Sequence, residues 1–265
     1  MFLDQPLNIV IFAVSILNFK SIMDIFISTL KRHVHKHGPL IVDVLSAKEH
    51  ERQVMFNYLP EECDILCTHP MFGPDSGKNG WFDLNFVYEK TRINKVVFDV
   101  RRRPPSDPAP SETFVDITGK QHSIHENSEA HVESMDRIER FLSIWEEEGC
   151  RMVPMTCKEH DEFAANSQFM THLMGRILGA QGLRPTPIDT KGFESVLRLV
   201  DSTTADSFDL FYGLYKYNQN SMDTITQLKA AMDDVVENLR RLEQEEQQRQ
   251  QMENEQEKQT RASSS

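Results

Sequence analysis

Asn8-Ile9-Val10-Ile11-Phe12-Ala13-Val14 is a continuous apolar run of strand length near the start of the chain. Such a run is typical of a strand that is buried on both faces of a parallel sheet. Residues 18–37 follow with apolar side chains at helical spacing, and Gly38-Pro39 ends that pattern. Leu40-Ile41-Val42-Asp43-Val44-Leu45 is a second apolar run. This part of the sequence therefore predicts a strand, a helix and a second strand.

The same order of elements continues for one more helix and one more strand. A helix is expected over about residues 47–58, and Cys63-Asp64-Ile65-Leu66-Cys67 is a third apolar strand. Short connections between such elements imply right-handed crossovers and a parallel sheet, as in a dinucleotide-binding domain of the Rossmann type. A complete domain of that type opens with a Gly-x-Gly-x-x-Gly turn, and no such glycine cluster precedes Ile9. We therefore expect the first mononucleotide-binding half to be missing from this sequence.

A histidine follows the third strand on a stretch that is rich in glycine. The segment from Thr68 to Trp81 contains His69 and three glycines. Because ligands of open α/β sheets bind at the carboxyl edge of the strands, we expect a loop at this place to carry the chemistry. The glycines allow the backbone to approach a ligand closely. His69 is the first catalytic candidate, although a lone histidine in a loop is more often a surface residue or a residue with satisfied hydrogen bonds.

The composition changes after the predicted sheet. Residues 94–134 contain the proline-rich and charged run 101–110 and show no apolar periodicity, so we expect a long disordered insertion there. A helix over about residues 135–148 and a short strand at residues 151–153 resume the fold. Together these elements predict a partial Rossmann-like domain over residues 1–155.

Residues 156–242 predict a second domain that is made of helices. The helices are expected at residues 159–181, 190–200, 205–219 and 221–242. The broad apolar faces of the first and the last of them imply burial against partner helices. Beyond Leu242 the large apolar residues give way to Glu and Gln, so residues 243–265 are expected to be a charged solvated tail, either helical or disordered.

Composition excludes several classes of function. A formal net charge of -12 over 265 residues argues against a general nucleic-acid binder. Four cysteines without Cys-x-x-Cys spacing indicate neither a zinc ribbon nor a disulfide framework. His33, His35 and His37 alternate near a helix end, where a spacing of two does not bring side chains together, so we expect no metal site. The apolar run from Ile9 is too short to span a bilayer and lacks the basic flank of a targeting peptide, so no membrane segment is expected.

Several longer motifs occur in a recognisable order along the chain. They are Val14-Ser15-Ile16-Leu17, Val42-Asp43-Val44-Leu45-Ser46-Ala47-Lys48-Glu49, the His69 segment, Glu159-His160-Asp161, Ser167-Gln168-Phe169-Met170-Thr171-His172, Thr190-Lys191-Gly192-Phe193-Glu194 and Asp206-Ser207-Phe208-Asp209-Leu210-Phe211-Tyr212-Gly213-Leu214. In this order they closely resemble plant members of the TyrA family of arogenate and prephenate dehydrogenases. The resemblance covers roughly residues 8–93 and 136–242.

The resemblance implies a fold and a reaction. The fold is a Rossmann-type α/β domain followed by an all-α dimerisation domain. The reaction is an oxidative decarboxylation that depends on NADP or NAD, with NADP favoured, and that gives tyrosine from arogenate or 4-hydroxyphenylpyruvate from prephenate. Aromatisation drives it, so no metal is needed, and the protein supplies orientation and one proton acceptor. A homodimer in the chloroplast is also implied; without the resemblance, the cytoplasm is the expected location.

The same resemblance assigns roles to single residues. His69 is the proton acceptor for the ring hydroxyl, with Ser46 beside it, and an imidazole suits this task because its unperturbed pKa is about 6.5. Ser15, Ile16 and Leu17 match the loop that approaches the nicotinamide half of the cofactor. The positions that line the substrate pocket in relatives are Asp75, Ser76, Gln168 and Lys191. Ordinary helix packing also accounts for Gln168 and His172, one turn apart, and Lys191 is equally a solvated lysine at a helix start.

Asp206 bears on the choice of substrate. In plant relatives an acidic residue at the matching position accompanies a preference for arogenate, whose side chain carries an ammonium where prephenate carries a keto group. A buried carboxylate facing that ammonium gains a charge-assisted hydrogen bond, a difference on the order of 1 to 3 kcal/mol. The resemblance also implies that tyrosine inhibits by occupying the same pocket.

The sequence leaves other functions open. A non-catalytic TyrA-like protein that dimerises and binds tyrosine would not need the glycine-rich half, whose backbone donors anchor the cofactor pyrophosphate. Residues 94–134 also depart from the family, and a misassigned stretch of the gene would explain both departures. Prephenate dehydrogenase activity is the remaining alternative.

Overall fold

A computed structural model of the chain describes residues 7–30, 38–97, 113–115, 121–123 and 129–263. The chain divides into two compact units, residues 1–220 and residues 221–265. The first unit holds the sheet and most of the helices. The second unit is one long helix.

The strands of the described residues all belong to the first unit. They are β1 (Ile9–Phe12), β2 (Leu40–Asp43), β3 (Asp64–Pro70), β4 (Asn85–Ile93), β5 (Val96–Val97), β6 (Thr113–Val115), β7 (Gln121–Ser123) and β8 (Arg151–Pro154). The helices are α1 (Phe19–Leu30), α2 (Glu49–Tyr58), α3 (Pro74–Gly77), α4 (Glu129–Glu147), α5 (Cys157–Ala164), α6 (Met170–Ala180), α7 (Lys191–Ala205), α8 (Phe208–Tyr217) and α9 (Ser221–Ser263). None of these helices is both long and apolar enough to cross a membrane, as far as the described residues extend.

The main sheet has six strands and is mostly parallel. The strand order is β1-β2-β3-β4-β5, with β8 beside β4. Strand β1 pairs with β2 and β2 with β3 in parallel, which confirms the predicted strand-helix-strand repeat. Strand β4 returns antiparallel to β3 and then pairs in parallel with β8. The sequence analysis predicted β8 and missed β4.

Burial differs between the first two strands. Every residue of β2 is buried, as its apolar run predicts. In β1 only Phe12 is buried and Ile11 is 51% exposed, so the prediction that β1 is buried on both faces is wrong. The physical reason is that β1 has β2 as its one neighbour within the described sheet and therefore lies at an edge.

Helix α4 closes one face of the sheet. Ile138, Phe141 and Leu142 pack into a buried cluster with Phe86 of β4. The indole of Trp145 stacks on Phe86 with a centroid distance of 4.3 Å. The helix begins six residues earlier than the sequence predicts. Of the remaining residues of the expected disordered insertion, residues 94–97 and strands β6 and β7 are described, and the others lie outside the described residues.

The helix that the sequence predicts over residues 159–181 is two helices joined by a π-turn. Helix α5 starts at a capping box, in which the Thr156 hydroxyl accepts from the Glu159 N–H and the Glu159 carboxylate accepts from the Thr156 N–H. The π-turn spans Ala165–Phe169 and leads directly into α6. Such turns inside helices are frequent at functional sites because they re-aim the side chains that follow.

Helices α6 and α7 approach each other closely at glycines. A Cβ atom added at Gly175 would lie against the Thr203 hydroxyl, 2.9 Å from the Thr203 Cβ and 3.1 Å from the Leu199 carbonyl oxygen. At Gly179 the nearest atoms are methyl groups at 3.2 and 3.3 Å. Gly175 is therefore the position where the two helices leave no room for a side chain.

We expect Gly175→Ala to lower the free energy of unfolding by about 1 to 3 kcal/mol, because overpacking at this contact forces the helices apart. Gly179→Ala, its matched control one turn along α6, should cost clearly less. Urea unfolding followed by circular dichroism measures both. Equal costs for the two variants would show that the contact at Thr203 does not set the spacing of the helices.

Candidate active site

His69 lies at the carboxyl end of β3. The sequence analysis placed it on a loop, and that placement is wrong, because β3 continues to Pro70. Strand β4 pairs along this stretch, with Val87 opposite His69, and so extends the sheet beyond the apolar run. The His69 side chain is held inside the protein at 3% exposure. The strand, rather than a mobile loop, fixes its position.

A hydrogen-bonded chain of three side chains runs from His69 into the protein. His69 Nδ1 lies 2.8 Å from Nε2 of His160, and His160 Nδ1 lies 2.8 Å from Oδ1 of Asp161. All three side chains are buried. His160 and Asp161 belong to α5, so this chain connects the helix to the end of β3.

The Asp161 carboxylate also caps helix α2. Its Oδ1 accepts a hydrogen bond from the backbone N–H of Lys48, and its Oδ2 accepts one from the N–H of Glu49, both at 2.9 Å. The first N–H groups of a helix have no partner within the helix, and a carboxylate there also meets the positive end of the helix dipole. Asp161 therefore binds α2 and orients His160 at the same time.

A buried lysine ties β2 to β3 next to this chain. Lys48 Nζ donates to Oδ1 of Asp43 and, at 2.6 Å, to the carbonyl oxygen of Thr68, the residue before His69. The Thr68 hydroxyl donates to the Asp43 carbonyl oxygen at 2.6 Å. Burial lowers the pKa of the Lys48 ammonium, but Asp43 raises it, and the net shift is upward. The lysine is therefore a fixed positive charge.

His69 is neutral in these surroundings. Burial lowers the pKa of its imidazole well below the ordinary value, and His160 and Lys48 lower it further. A neutral imidazole has one nitrogen that donates and one that accepts. His69 is thus in the state that a proton acceptor requires before reaction.

A cleft opens at the carboxyl ends of β1 and β2. It has a volume of about 320 Å³ and is lined by Ala13, Val14, Ser15, Ile16, Val44, Leu45, Ser46, Ser207 and Leu210. The structure therefore brings together Ser15, Ile16 and Ser46, which the sequence analysis assigned to the active site. Leu17 is half-buried in a 3-10 turn (Ile16–Asn18) beside the cleft. The His69 ring bonds to His160, and the closeness of Ser46 to His69 stays a prediction.

The helical side of the site carries buried polar atoms that have no partner. Gln168 Oε1, His172 Nδ1 and Arg176 Nε are each buried without a hydrogen bond. These residues follow one another at intervals of four, so they form one stripe along the π-turn and α6. Buried polar atoms are normally hydrogen-bonded, and three orphans on one stripe point to missing ligand groups or water.

Asp206 lies at the end of α7, close to this stripe. Its Oδ2 is 3.8 Å from His172 Nε2, and Arg176 Nη2 donates to the carbonyl oxygens of Asp206 and Ser207 at 2.7 and 3.2 Å. The Asp206 side chain is 47% exposed, so the expectation of a buried carboxylate is wrong. The cause is its position in the short turn between α7 and α8, which faces solvent. Burial lowers the pKa of His172 although Asp206 raises it.

Two other predicted substrate residues, Lys191 and Ser76, lie on the surface of the protein. Lys191 is the first residue of α7, its side chain is 93% exposed, and it pairs with Glu194 at 2.9 Å. Ser76 is exposed and accepts from the Gly73 N–H at the start of α3. The Asp75 side chain lies outside the described part of the structure. The binding roles of these residues stay predictions.

The side chains described for this site do not form a metal centre. Within the described residues, no group of three His, Cys, Asp or Glu side chains is arranged to hold a metal ion. The cleft instead offers apolar side chains and serine hydroxyls at the carboxyl ends of parallel strands, where open α/β sheets bind nucleotides. These residues fit the ring half of a nicotinamide cofactor. The sequence contains no Gly-x-Gly-x-x-Gly turn that would cradle its pyrophosphate.

Two known plant enzymes are similar to this chain in sequence. Arogenate dehydrogenase 2, chloroplastic, from Arabidopsis thaliana is 41% identical over 237 residues, which are 89% of this chain and 55% of that protein. Arogenate dehydrogenase 1, chloroplastic, from the same plant is 41% identical over 235 residues, 89% of this chain and 30% of that protein. The chain is a homologue of the plant arogenate dehydrogenases. It spans about half the length of the first relative and less than a third of the second.

A family model and a solved structure are also similar to this chain. The family model TYRAAT1-like, C-terminal domain, matches residues 177–252. Among solved structures, prephenate dehydrogenase from Aquifex aeolicus in complex with hydroxyphenyl propionate and NAD+ has a TM-score of 0.57 and 14% identity, and the match covers 92% of this chain and 73% of that one. At this identity the likeness concerns the fold, and it confirms the expected α/β sheet followed by helices.

The sequence analysis quoted Lys48, His160 and Asp161 as parts of motifs and gave them no role. Lys48 follows shortly after the buried strand β2, and this place in the sequence could have drawn attention to it, because buried lysines are rare unless they are paired. The adjacent His160-Asp161 pair, which follows a Thr-x-x-Glu capping box, is a second such feature. Neither feature tells which strand end these side chains reach, since that depends on how α5 packs.

Glu51 of α2 provides a test of the buried electrostatics. Both of its carboxyl oxygens are buried without a hydrogen bond, and burial raises its pKa well above the ordinary value. A raised pKa in the folded state means that its contribution to stability is complete below its unfolded pKa of about 4.3 and is lost as the pH rises through the folded pKa.

We expect Glu51→Gln to gain stability relative to the unmodified chain as the pH rises from about 5 to about 8, at up to about 1.4 kcal/mol per pH unit. Urea unfolding at several pH values measures this difference. Glu61→Gln, which changes an exposed carboxylate near the end of the same helix, should follow the unmodified chain at every pH. A constant difference for Glu51→Gln across the range would contradict the assigned ionisation.

Proposed function

We propose that this homologue is a dehydrogenase of tyrosine biosynthesis that oxidises and decarboxylates arogenate to tyrosine. The observation that carries the proposal is the neutral, buried His69 at the carboxyl end of β3. It is supported by the cleft at the ends of β1 and β2 and by 41% identity to two arogenate dehydrogenases. Prephenate is the alternative substrate.

In this reaction the protein has to accept and return one proton. His69 accepts the proton of the ring hydroxyl as a hydride leaves the same carbon, so that the hydroxyl becomes a carbonyl. The ring carboxylate then leaves as carbon dioxide, its bonding electrons complete the aromatic ring, and the oxygen takes the proton back from His69. His69 therefore ends the reaction in the protonation state in which it began, and no other acid or base is required.

The proposed hydride acceptor is a nicotinamide cofactor, for which the resemblance to the TyrA family favours NADP. When bound, it supplies the site that receives the hydride. Ser15, Ile16 and Ser46 line the cleft and would hold its ring half there.

The stripe of orphaned polar atoms is the proposed substrate surface. Gln168 and His172 offer an amide oxygen and a ring nitrogen without partners. Asp206, next to His172, supplies the negative charge that an ammonium group of arogenate would meet. Because Asp206 is half exposed, its preference for arogenate over prephenate is expected at the lower end of the range for charge-assisted hydrogen bonds. Tyrosine, the product, carries the same ammonium and is the proposed inhibitor.

The location of the protein is proposed from its homologues. Both Arabidopsis proteins are described as chloroplastic, and we propose the chloroplast for this chain.

A direct assay tests the proposed reaction. The purified chain is incubated with arogenate or prephenate and with NADP or NAD, and reduced cofactor is measured by absorbance. We expect turnover with arogenate and NADP, and slower turnover with prephenate. No turnover together with no cofactor binding in calorimetry would contradict the proposal and favour the non-catalytic alternative.

Replacement of His69 tests its role within that assay. We expect His69→Asn to lower kcat by about 10² to 10⁴ while cofactor binding persists, because a general base contributes a factor of this size. His131→Asn is the matched control, since it removes a buried histidine on α4 that takes no part in the site. A His69→Asn variant with normal kcat would remove His69 from the mechanism.

We also propose that the chain forms a homodimer through α9. Met232, Val235, Leu239 and Leu242 are 51% to 63% exposed, and with Ile225 and Leu228 they alternate in steps of three and four. This spacing is the a/d pattern of a coiled coil, and it is self-complementary, so a second copy can cover it along its whole length.

We expect the chain to elute as a dimer at micromolar concentration in size exclusion with light scattering. Leu239→Lys should give a monomer, because it places a charge within the apolar stripe. Gln244→Lys places the same charge on the polar side of α9 and should leave the dimer intact. A monomeric unmodified chain would refute the proposed interface.

A further inference from the structure

In the hydrogen-bonded chain of His69, His160 and Asp161, the distances alone do not show which nitrogen donates and which atom accepts. Each link is 2.8 Å long, and the three side chains are 3%, 2% and 1% exposed. With so little water around them, every ring nitrogen in a link must either donate or accept. The positions of the hydrogens can therefore be worked out from the end of the chain.

Asp161 sets the first link. Its two oxygens already accept the N–H groups of Lys48 and Glu49, so the carboxylate has acceptor capacity and no hydrogen to give. The hydrogen in the link between Asp161 and His160 must then belong to Nδ1 of His160. In a neutral imidazole the other nitrogen, Nε2, carries a lone pair and accepts.

The second link follows from the first. Because Nε2 of His160 accepts, Nδ1 of His69 must donate, and the lone pair of the His69 ring is left on Nε2. We infer that His160 is a positioning residue, which together with Asp161 holds His69 in the one tautomer whose Nε2 accepts a proton. That this proton comes from a substrate hydroxyl rests on the proposed function.

The same links also allow the charge to move. When His69 takes a proton at Nε2, its Nδ1 proton can pass to Nε2 of His160, and the positive charge then lies next to the Asp161 carboxylate. The reverse shift returns the proton, so the number of protons is unchanged over the cycle. An orienting carboxylate behind a histidine base is a known way to fix the tautomer and to stabilise the imidazolium.

A His160 that is already protonated would reverse the links. Its Nε2 would donate to Nδ1 of His69, and the His69 hydrogen would move to Nε2, where it blocks the base. His160 contacts Asp161 on its own helix and His69 on β3, the Lys48 charge acts on His69, and the charges of Glu49 and Glu51 on the α2 side act on Asp161. The tautomer of His69 is thus controlled by a residue that never touches the substrate.

NMR of isotope-labelled histidine ring nitrogens tests this inference without any substrate. In the unmodified chain at a pH of about 8, we expect the hydrogen of His69 on Nδ1 and that of His160 also on Nδ1, with assignment by loss of signals in His69→Asn. In Asp161→Ala nothing is left to accept from Nδ1 of His160, so the hydrogen of His160 is no longer confined to Nδ1. The link to His69 can then invert, and the His69 hydrogen should appear at least partly on Nε2.

The matched control is Glu162→Ala, which removes an exposed carboxylate from the next position of α5 and should leave both tautomers unchanged. A His69 hydrogen on Nε2 in the unmodified chain overturns the inference, even if Asp161→Ala does not fold. So does a folded Asp161→Ala variant with the unchanged tautomer.

Kinetics separate the inference from the proposed function. If the chain turns over arogenate, Asp161→Ala should lower kcat by about 10² to 10⁴ with little change in KM, because the tautomer of His69 and not substrate binding is altered. If the chain shows no turnover but the tautomers are as expected, the proposed function fails and the positioning of His69 stands. A normal kcat in a variant whose His69 tautomer has changed would overturn the catalytic importance of the tautomer.

Discussion

The hydrogen bonds between the Asp161 carboxylate and the first N–H groups of α2 are the constraint on which the site depends. They join helix α5 to the start of α2, and through His160 they reach the end of β3. The carboxylate is 1% exposed, and a buried charge is tolerated only where donors surround it. Asp161 finds those donors in two backbone N–H groups and one imidazole, so helix, helix and strand are fixed relative to one another by a single side chain.

The buried charge of Lys48 also helps to hold His69 in place and to keep its ring neutral. The side chain of Lys48 extends into the interior of the protein, where its ammonium donates to Asp43 and to the Thr68 carbonyl oxygen. The lysine thereby fixes the backbone just before His69 and helps to lower the pKa of the His69 ring. A proton acceptor that is neutral and held in place needs little reorganisation during reaction, which is the advantage of a preorganised site. The cleft and the stripe of orphaned atoms then supply the two ligand surfaces.

Local patterns were sufficient to predict much of this arrangement. The apolar runs predicted β2 and β3, and the family resemblance assigned roles to Ser15, Ile16 and Ser46, which the structure brings together in one cleft. Strand β1 shows where such patterns fail, because an apolar run does not tell whether a strand has neighbours on both sides. Asp206 shows the same for a side chain, whose exposure follows from the turn that carries it.

The links of the buried chain could not be predicted from sequence for a definite reason. Asp161 caps a helix whose first residues are 112 and 113 positions away in the sequence. His160 reaches His69 across 91 positions. No local rule for helix starts covers a cap of this range, since it depends on the docking of α5 against the sheet. Asn218, which donates to the Asp161 carbonyl oxygen at 2.7 Å, adds a further contact from the end of α8.

Amide hydrogen exchange at Lys48 and Glu49 tests the central claim most directly. If the Asp161 carboxylate holds these two N–H groups, both should exchange slowly in the unmodified chain, although the first amides of a helix normally exchange fast. In Asp161→Ala their exchange should accelerate by about tenfold or more while the amides of β2 keep their protection, which corresponds to the loss of about 1.4 kcal/mol. Fast exchange in the unmodified chain, or equal protection with and without the carboxylate, would contradict the account.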